Sequence, residues 1–189
     1  MFRTGVRPAL LTALFLLGVG WPTFLLSLPA QDVRPINNRE YFPAVLDRLD
    51  HATQSIRLVM YLAQRYDQFP ESPTNRLVEA LTKARERGVD VEVILEKPGS
   101  KGERSDDLWQ KNRQVEKILA QADVRVFEDS PGITTHAKVL VVDSRYTIIG
   151  STNWTYAAIA LNNETAVIID STEVAKEYME LFEKIKAQQ

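Results

Sequence analysis

The chain has 189 residues, of which 44% are hydrophobic and 25% charged, and this length and composition predict one globular domain with a substantial apolar core. The formal net charge of −2 excludes a generally basic nucleic-acid-binding protein. The chain contains no cysteine, which excludes disulfides, thiolate metal sites and cysteine nucleophiles. One segment is locally basic and forms either a solvated surface or a substrate-facing patch. Its basic residues are Lys97, Lys101, Arg104, Lys111, Arg113 and Lys117.

The chain opens with an apolar segment. Arg3 and Arg7 precede residues 8–31, which include no charged side chain. The densest apolar part has the length of a signal-peptide core, whereas the whole run is long enough to span a bilayer of about 30 Å. Leu28 disfavours cleavage after Ala30, so we favour a retained anchor over a cleaved signal peptide for residues 1–31. Either outcome places the folded domain, 32–189, outside the cytoplasm, in the periplasm or anchored to the membrane.

Helical and strand patterns alternate from Asn37 onward, which predicts a layered α/β domain. The predicted helices are one from an Asn37 N-cap to about Thr53, one from Pro73 to near Gly88, one of about seventeen residues from Ser105, a short one after Asn153 and a last one from Thr172. The predicted strands are 55–62, 89–95, 124–127, 136–142, 146–149 and 165–169.

A set of polar residues near these later strands carries most of the chemical information. The set is His136, Lys138, Asp143, Gly150, Ser151 and Asn153. Residues two apart on a strand share a face, so we expect His136 and Lys138 to project together. Ser151 and Asn153 follow a glycine that lets the backbone approach an anion. Such donors can neutralise the non-bridging oxygens of a phosphodiester while a neutral imidazole attacks phosphorus.

Two acidic residues have different predicted roles. Asp143 lies seven positions after His136 and would face the other side of a regular strand. We therefore expect Asp143 to fix the turn that follows rather than to touch phosphorus. Glu164, at the entrance of a later strand, is the candidate to hold the proton on the second nitrogen of the His136 imidazole.

The spacing His-x-Lys-x4-Asp-x6-Gly-Ser-x-Asn resembles that of the phospholipase D superfamily, and in particular its single-motif bacterial nucleases, over nearly all of residues 37–187. The resemblance implies an α/β/α layered domain with a central mixed sheet, preceded here by the N-terminal apolar helix. Asp143 and Gly150 belong to the same motif, and we expect structural roles for both. The resemblance also implies catalytic roles for His136, Lys138, Ser151, Asn153 and Glu164, the last matching the glutamate that orients the histidine in those nucleases.

The resemblance further implies a two-step reaction through a phosphohistidine, independent of metals and cofactors, in which a second motif histidine protonates the leaving oxygen. Besides His136 the chain offers only His51, which we expect to be a surface residue at a helix end. The second histidine must then come from another copy of the chain. We therefore expect a homodimer that shares one active site across its two-fold axis.

Three functions remain open from the sequence. A nuclease that cleaves DNA or RNA is the leading hypothesis, because small, exported, single-motif chains most resemble that branch. The alternative is a phospholipase D acting on phosphatidylcholine or cardiolipin, which the apolar leader and the non-basic charge favour. The third is a catalytically silent dimer that binds anions, and the intact set of polar residues argues against it.

Overall fold

A computed structural model describes residues 27–97, 103–130 and 132–188, without the side chains of 103–106. The predicted apolar helix therefore lies outside the described residues, as does the loop 98–102. No helix within the described ranges has both the length and the apolarity needed to cross a bilayer.

The described chain alternates between strands and helices. In chain order these are β1 (Asp32–Pro35), α1 (Tyr41–Asp50), β2 (Ser55–Met60), α2 (Pro73–Glu86), β3 (Asp90–Leu95), α3 (Glu103–Gln121), β4 (Arg125–Glu128), β5 (Lys138–Val142), β6 (Tyr146–Gly150), β7 (Ala166–Asp170) and α4 (Thr172–Lys186). A 3-10 turn, Asn38–Glu40, precedes α1, and a π-helical turn, Ala157–Leu161, precedes β7. The structure adds β1 to the predicted elements, shortens α1, α2, β2, β3 and β5, shifts β4 and β7 by one residue, and lengthens α3 and β6.

The strands form one mixed sheet in the order β1-β7-β6-β5-β2-β3-β4. β2, β3 and β4 run parallel, while the pairs β2–β5, β5–β6, β6–β7 and β1–β7 are antiparallel. Helices α1, α2 and α3 pack on one face of this sheet and α4 on the other. The predicted α/β/α layering and the mixed sheet are therefore confirmed.

The central strand β5 is buried along its whole length because helices cover both faces of the sheet. Leu140 and Val142 belong to the core beneath α1, α2 and α3. Val139 and Val141 alternate with them and pack against Ala175 of α4. The strand that carries Lys138 is thus fixed from both sides.

The predicted N-cap at Asn37 is confirmed in position, because Asn37 directly precedes the 3-10 turn that leads into α1, but not in its contacts. Its side chain makes no capping hydrogen bond, and α1 begins only at Tyr41. The side-chain oxygen of Asn37 instead accepts a hydrogen bond from the backbone N–H of Ala166 at 3.2 Å, and that of Asn38 accepts from the N–H of Glu164 at 2.8 Å. These long-range bonds hold the entrance of β7, where Glu164 lies.

Candidate active site

Three strand ends meet at one edge of the sheet. β5 begins there with Lys138, which lies opposite Met60 at the end of β2. β6 ends there at Gly150, which lies opposite Ala166 at the start of β7. The residues before β5, after β6 and before β7 are therefore brought to the same edge.

His136 and Lys138 contact each other at this edge. The ammonium nitrogen of Lys138 lies 3.1 Å from Nδ1 and 3.2 Å from Nε2 of His136, and it donates to the His136 carbonyl at 2.9 Å. The side chain of His136 is exposed, whereas Lys138 is buried. Since an ammonium group has only donors, it is compatible with a neutral imidazole that accepts at one nitrogen.

The pKa values of this pair favour a nucleophilic imidazole. Partial burial, followed by the positive charge of Lys138, holds the pKa of His136 below its usual value of 6.5. Burial also lowers the pKa of Lys138, and the negative charge of Glu164 opposes that effect. His136 is therefore mainly neutral at pH 7, the form that can attack phosphorus.

Tyr61 supports both side chains and was not predicted from the sequence. Its ring centroid lies 4.4 Å from that of His136 with the planes tilted by 58°, and the Lys138 ammonium lies 4.9 Å from the same centroid. The N–H of Tyr61 donates to the carbonyl of Ala137 at 3.1 Å, which extends the β2–β5 pairing to this residue. The predicted strand 55–62 includes Tyr61, but the sequence does not mark this residue as part of a site.

Ser151 and Glu164 contact each other at the same edge of the sheet. The Ser151 hydroxyl donates to Oε2 of Glu164 and accepts from the Thr165 N–H at 3.1 Å. The side-chain amide of Asn162 donates to Oε1 of Glu164 at 3.1 Å. Both carboxylate oxygens of Glu164 therefore have donors. The hydrogen bonds of the described residues include none between Glu164 and His136, so Glu164 contacts Ser151 where the sequence predicted a contact with the imidazole.

Asn153 lies in the chain between Ser151 and the buried residue Trp154. Its side-chain oxygen is shielded from solvent and has no hydrogen-bond partner among the described residues, which leaves a buried acceptor without a donor. The next residue, Trp154, is buried and donates from its indole nitrogen to the Tyr41 hydroxyl at 3.1 Å. Backbone bonds from Trp154 to Leu62 and from Gln64 to Trp154, both 2.9 Å, attach this segment to the end of β2.

Gly150 is required by packing against β7. A side chain there would place its Cβ 2.5 Å from the Cβ of Ala166. The next residue, Ser151, donates its N–H to the Thr165 carbonyl at 2.9 Å. The absence of a side chain at Gly150 thus lets the Ser151 backbone approach β7 and Glu164.

Asp143 lies at the other end of β5, away from His136. Its carboxylate accepts from the N–H and hydroxyl of Thr53, each at 3.0 Å, from the N–H of Gln54 at 2.8 Å and from the N–H of Ser55 at 3.0 Å. Burial alone would raise the pKa of Asp143, but these donors hold it below its usual value of 3.8. Asp143 also has a positive φ of 53°, at the start of the turn between β5 and β6.

His51 lies near the end of β5 that carries Asp143, because it follows α1 and shortly precedes Thr53. Its side chain is 76% exposed, and Nδ1 lies 2.8 Å from the carbonyl oxygen of Asp47. The structure therefore does not bring the two histidines of one chain together.

Comparison with known proteins identifies the family. Residues 45–186 match the family described as "Cardiolipin synthase, PLD-like domain". This match covers well over half of the chain, and the chain belongs to the phospholipase D superfamily.

Individual relatives support this assignment. A phospholipase D from Rickettsia bellii is 30% identical over 137 residues, which are 72% of this chain and 59% of the relative. The mitochondrial cardiolipin hydrolase of Mus musculus is 32% identical over 110 residues, which are 58% of this chain and 46% of the relative. The chain thus spans about half to three fifths of these curated relatives.

Solved structures cover more of the chain. The phospholipase D family member Nuc from Salmonella typhimurium aligns with a TM-score of 0.68 and 26% identity, over 83% of this chain and 95% of Nuc. NucT from Helicobacter pylori aligns with a TM-score of 0.62 over 83% of this chain and 96% of NucT, and at 15% identity it supports the fold alone.

Proposed function

We propose that the chain is a phosphodiester hydrolase that cleaves DNA or RNA through a covalent phosphohistidine, without a metal ion or cofactor. The contact between the Lys138 ammonium and the His136 imidazole, at 3.1 Å on an exposed edge, carries this proposal. It combines a nucleophile with a positive charge for the phosphate oxygens. Membership of the phospholipase D superfamily supports the same chemistry.

In the first step, a ring nitrogen of His136 forms a bond to phosphorus while the bond from phosphorus to the leaving oxygen breaks. Lys138 and Asn153 supply donors to the non-bridging oxygens, and the Ser151 hydroxyl does so when it exchanges its bond to Glu164 for one to the substrate. A second histidine gives its proton to the leaving oxygen. In the second step this histidine takes a proton from water, whose oxygen displaces the His136 nitrogen from phosphorus and regenerates the free enzyme.

The second histidine must come from a second copy of the chain in this proposal. His51 is at the distant end of the fold, so His136 of a two-fold related subunit remains as the proton donor. Mixing wild-type and His136→Ala subunits tests this shared site. Activity should fall as the square of the wild-type fraction if both imidazoles are needed, whereas a linear fall would contradict a shared site.

Nucleic acid is the proposed substrate because the edge that carries His136 and Ser151 is open and bordered by aromatic side chains on which bases can stack. Tyr66 follows β2, and Tyr156 follows Asn153. Their rings pack edge to face with centroids 6.4 Å apart. Within the predicted basic segment, Lys97 pairs with Glu128 and Lys111 with Asp107.

Hydrolysis of phosphatidylcholine or cardiolipin is the second candidate. A cavity of about 580 Å³ is lined by Tyr66, Phe69, Pro70 and Tyr156 among others, and Phe69 is 66% exposed. A cavity lined by apolar side chains can bind the acyl part of a phospholipid. The names of the Rickettsia and mouse relatives point in the same direction.

A direct assay separates these possibilities. The full chain should cleave a chromogenic phosphodiester in EDTA, and His136→Ala should lose roughly 1,000-fold or more in kcat/KM, while His51→Ala should retain wild-type activity. Single-stranded DNA, RNA, phosphatidylcholine and cardiolipin vesicles are then compared side by side. Cleavage of nucleic acid should weaken steeply with salt. A strict requirement for an added divalent metal would contradict the mechanism.

We further propose that residues 1–31 export the domain, as a cleaved signal peptide or a retained anchor, to the periplasm or the outer side of the membrane. The leader has two basic residues, Arg3 and Arg7, followed by an uncharged apolar run, and this order supports the location. Cell fractionation, with the N-terminal sequence of the mature chain, distinguishes a cleaved leader from an anchor. Recovery of the whole chain in the cytosol would contradict export.

A further inference from the structure

Two buried carboxyl groups lie next to the segment that enters the active site. Glu96 follows β3 and is 4% exposed, and Asp129 follows β4 and is 3% exposed. Both carboxyl groups lie within hydrogen-bond distance of one backbone N–H, that of Thr135. Two buried carboxyl groups held this close favour a state in which one of them carries a proton.

This pair holds the residue directly before His136. The backbone N–H of Thr135 donates to Oε2 of Glu96 at 2.6 Å and to Oδ2 of Asp129 at 3.2 Å. The other carboxylate oxygen of Asp129 accepts from the N–H of Lys97 at 2.6 Å. The segment between β4 and β5 is therefore attached to the end of β3 through the carboxyl pair.

We propose that Glu96 and Asp129 share a single proton and act as positioning residues, because this protonated pair fixes Thr135 and thereby the imidazole of His136. The catalytic consequence rests on the proposed function of His136. Ionisation of the pair would place two negative charges side by side in the interior and release the segment. The imidazole would then move relative to Lys138 and Tyr61.

The titration of Glu96 falls in an accessible range. Burial first, and then the neighbouring carboxyl group of Asp129, raise the pKa of Glu96 to about 8, while the N–H of Thr135 opposes the shift. An acid whose pKa is raised by folding binds its proton more tightly in the folded state, so the pair is intact at neutral pH and is lost as the pH rises through about 8.

Charged groups on the surrounding elements are engaged elsewhere. Lys97 pairs with Glu128, and Lys186 of α4 pairs with Glu92. Lys138, at the start of β5, contacts His136. Within the described residues, the salt bridges include none to Glu96 or to Asp129, so a shared proton is the means of avoiding two uncompensated negative charges.

Nuclear magnetic resonance of the imidazole groups tests positioning without relying on catalysis. The full chain has two histidines, and His51→Ala assigns their signals. In the wild type, the ring signals of His136 should show its own titration and a second inflection near pH 8, from the carboxyl pair. Glu96→Gln keeps a neutral donor beside Asp129 and should remove the second inflection, and Asp129→Asn should do the same.

The pH dependence of kcat gives the catalytic readout. Between pH 7 and pH 9 the ratio of the wild-type kcat to that of Glu96→Gln should fall about tenfold, because both proteins share the titration of His136 and only the wild type loses the carboxyl pair. Glu128→Gln is the matched control, since Glu128 adjoins Asp129 but pairs with Lys97, and it should keep the wild-type midpoint. Melting curves identify any variant that is unfolded.

The results separate the two proposals. An inflection near pH 8 that persists unchanged in folded Glu96→Gln and Asp129→Asn would overturn the role of the carboxyl pair. Absence of any phosphodiester hydrolysis, together with an inflection that both variants remove, would overturn the proposed function and leave the positioning of His136 intact. Loss of the inflection in Glu128→Gln alone would also contradict the assignment to Glu96.

Discussion

The two ends of β5 use polar residues from the same sequence motif in different ways. At its beginning, Lys138 contacts an exposed imidazole, and Asn153 nearby has a shielded oxygen without a partner among the described residues. At its end, Asp143 accepts four hydrogen bonds of 3.0 Å or less from Thr53, Gln54 and Ser55. One end leaves an imidazole exposed to a ligand, and the other pairs its polar groups within the fold.

This difference separates reactivity from stability along a strand of five residues. Groups at the first end are incompletely paired and have pKa values lowered by burial. At the second end, the ionised form of Asp143 is stabilised by backbone donors. Substitutions at the first end should therefore change the rate, and those at the second should change the free energy of unfolding.

Among substitutions that keep the His136 nucleophile, the largest effect is expected for Lys138→Met, which keeps an unbranched side chain but removes the charge. Loss of the main donor to the phosphate should lower kcat/KM by about 100- to 1,000-fold. Because the charge of Lys138 lowers the pKa of His136, the variant should raise that pKa and shift the acid limb of activity to higher pH. Steady-state kinetics and the imidazole titration measure the two effects.

Lys97→Met provides the matched control for this substitution. Lys97 pairs with Glu128 away from the imidazole, so its loss should change kcat/KM less than about twofold. A His136 pKa that stays constant in Lys138→Met, or falls, would show that the ammonium does not act on the imidazole as the structure indicates.

At the other end, Asp143→Ala should destabilise the fold by about 2 kcal/mol, because several backbone donors lose their acceptor. Its folded pKa is lowered, so the stabilisation is present above the usual value of 3.8 and is lost as the pH falls through the folded pKa. Urea denaturation should therefore show a difference from wild type at pH 7 that shrinks in acid. Where the variant is folded, kcat should stay near the wild-type value, and a large loss would contradict the separation of the two ends.

Sequence patterns predicted the layers well because burial and periodicity are local properties. β5 and β6 follow from their continuous apolar residues, and the spacing of His136 and Lys138 matches their contact at the sheet edge. β1 had no comparable signal, since all four residues of this edge strand are exposed. Short, exposed edge strands lack the apolar pattern from which a strand is predicted.

The remaining features depend on contacts between distant parts of the chain. Asn37 has the residue type of an N-cap, but its side chain binds β7, which no local pattern indicates. Tyr61 contacts His136 only because β2 pairs with β5. Glu96 and Asp129 meet because β3 and β4 are parallel neighbours that end together. Such groups become visible only when the strand order is known.

A moderate effect is expected for Ser151→Ala at the reactive end. The hydroxyl of Ser151 donates to Glu164 and accepts from Thr165, so its removal leaves one oxygen of the Glu164 carboxylate without this donor. We expect kcat to fall about tenfold, with little change in unfolding free energy. A double-mutant cycle with Glu164→Gln should give less than additive losses, and strictly additive losses would show that the two residues act independently.

The smallest effect is expected for Tyr61→Leu, because Tyr61 supports the reactive pair without touching the substrate. Its ring lies 4.4 Å from the His136 ring and 4.9 Å from the Lys138 ammonium. Loss of a cation–π contact of about 0.5–1 kcal/mol should lower kcat about two- to fivefold, with KM unchanged. Tyr61→Phe keeps the ring and should retain wild-type kinetics. Equal losses in both variants would assign the effect to the hydroxyl and would contradict support of His136 through the aromatic face.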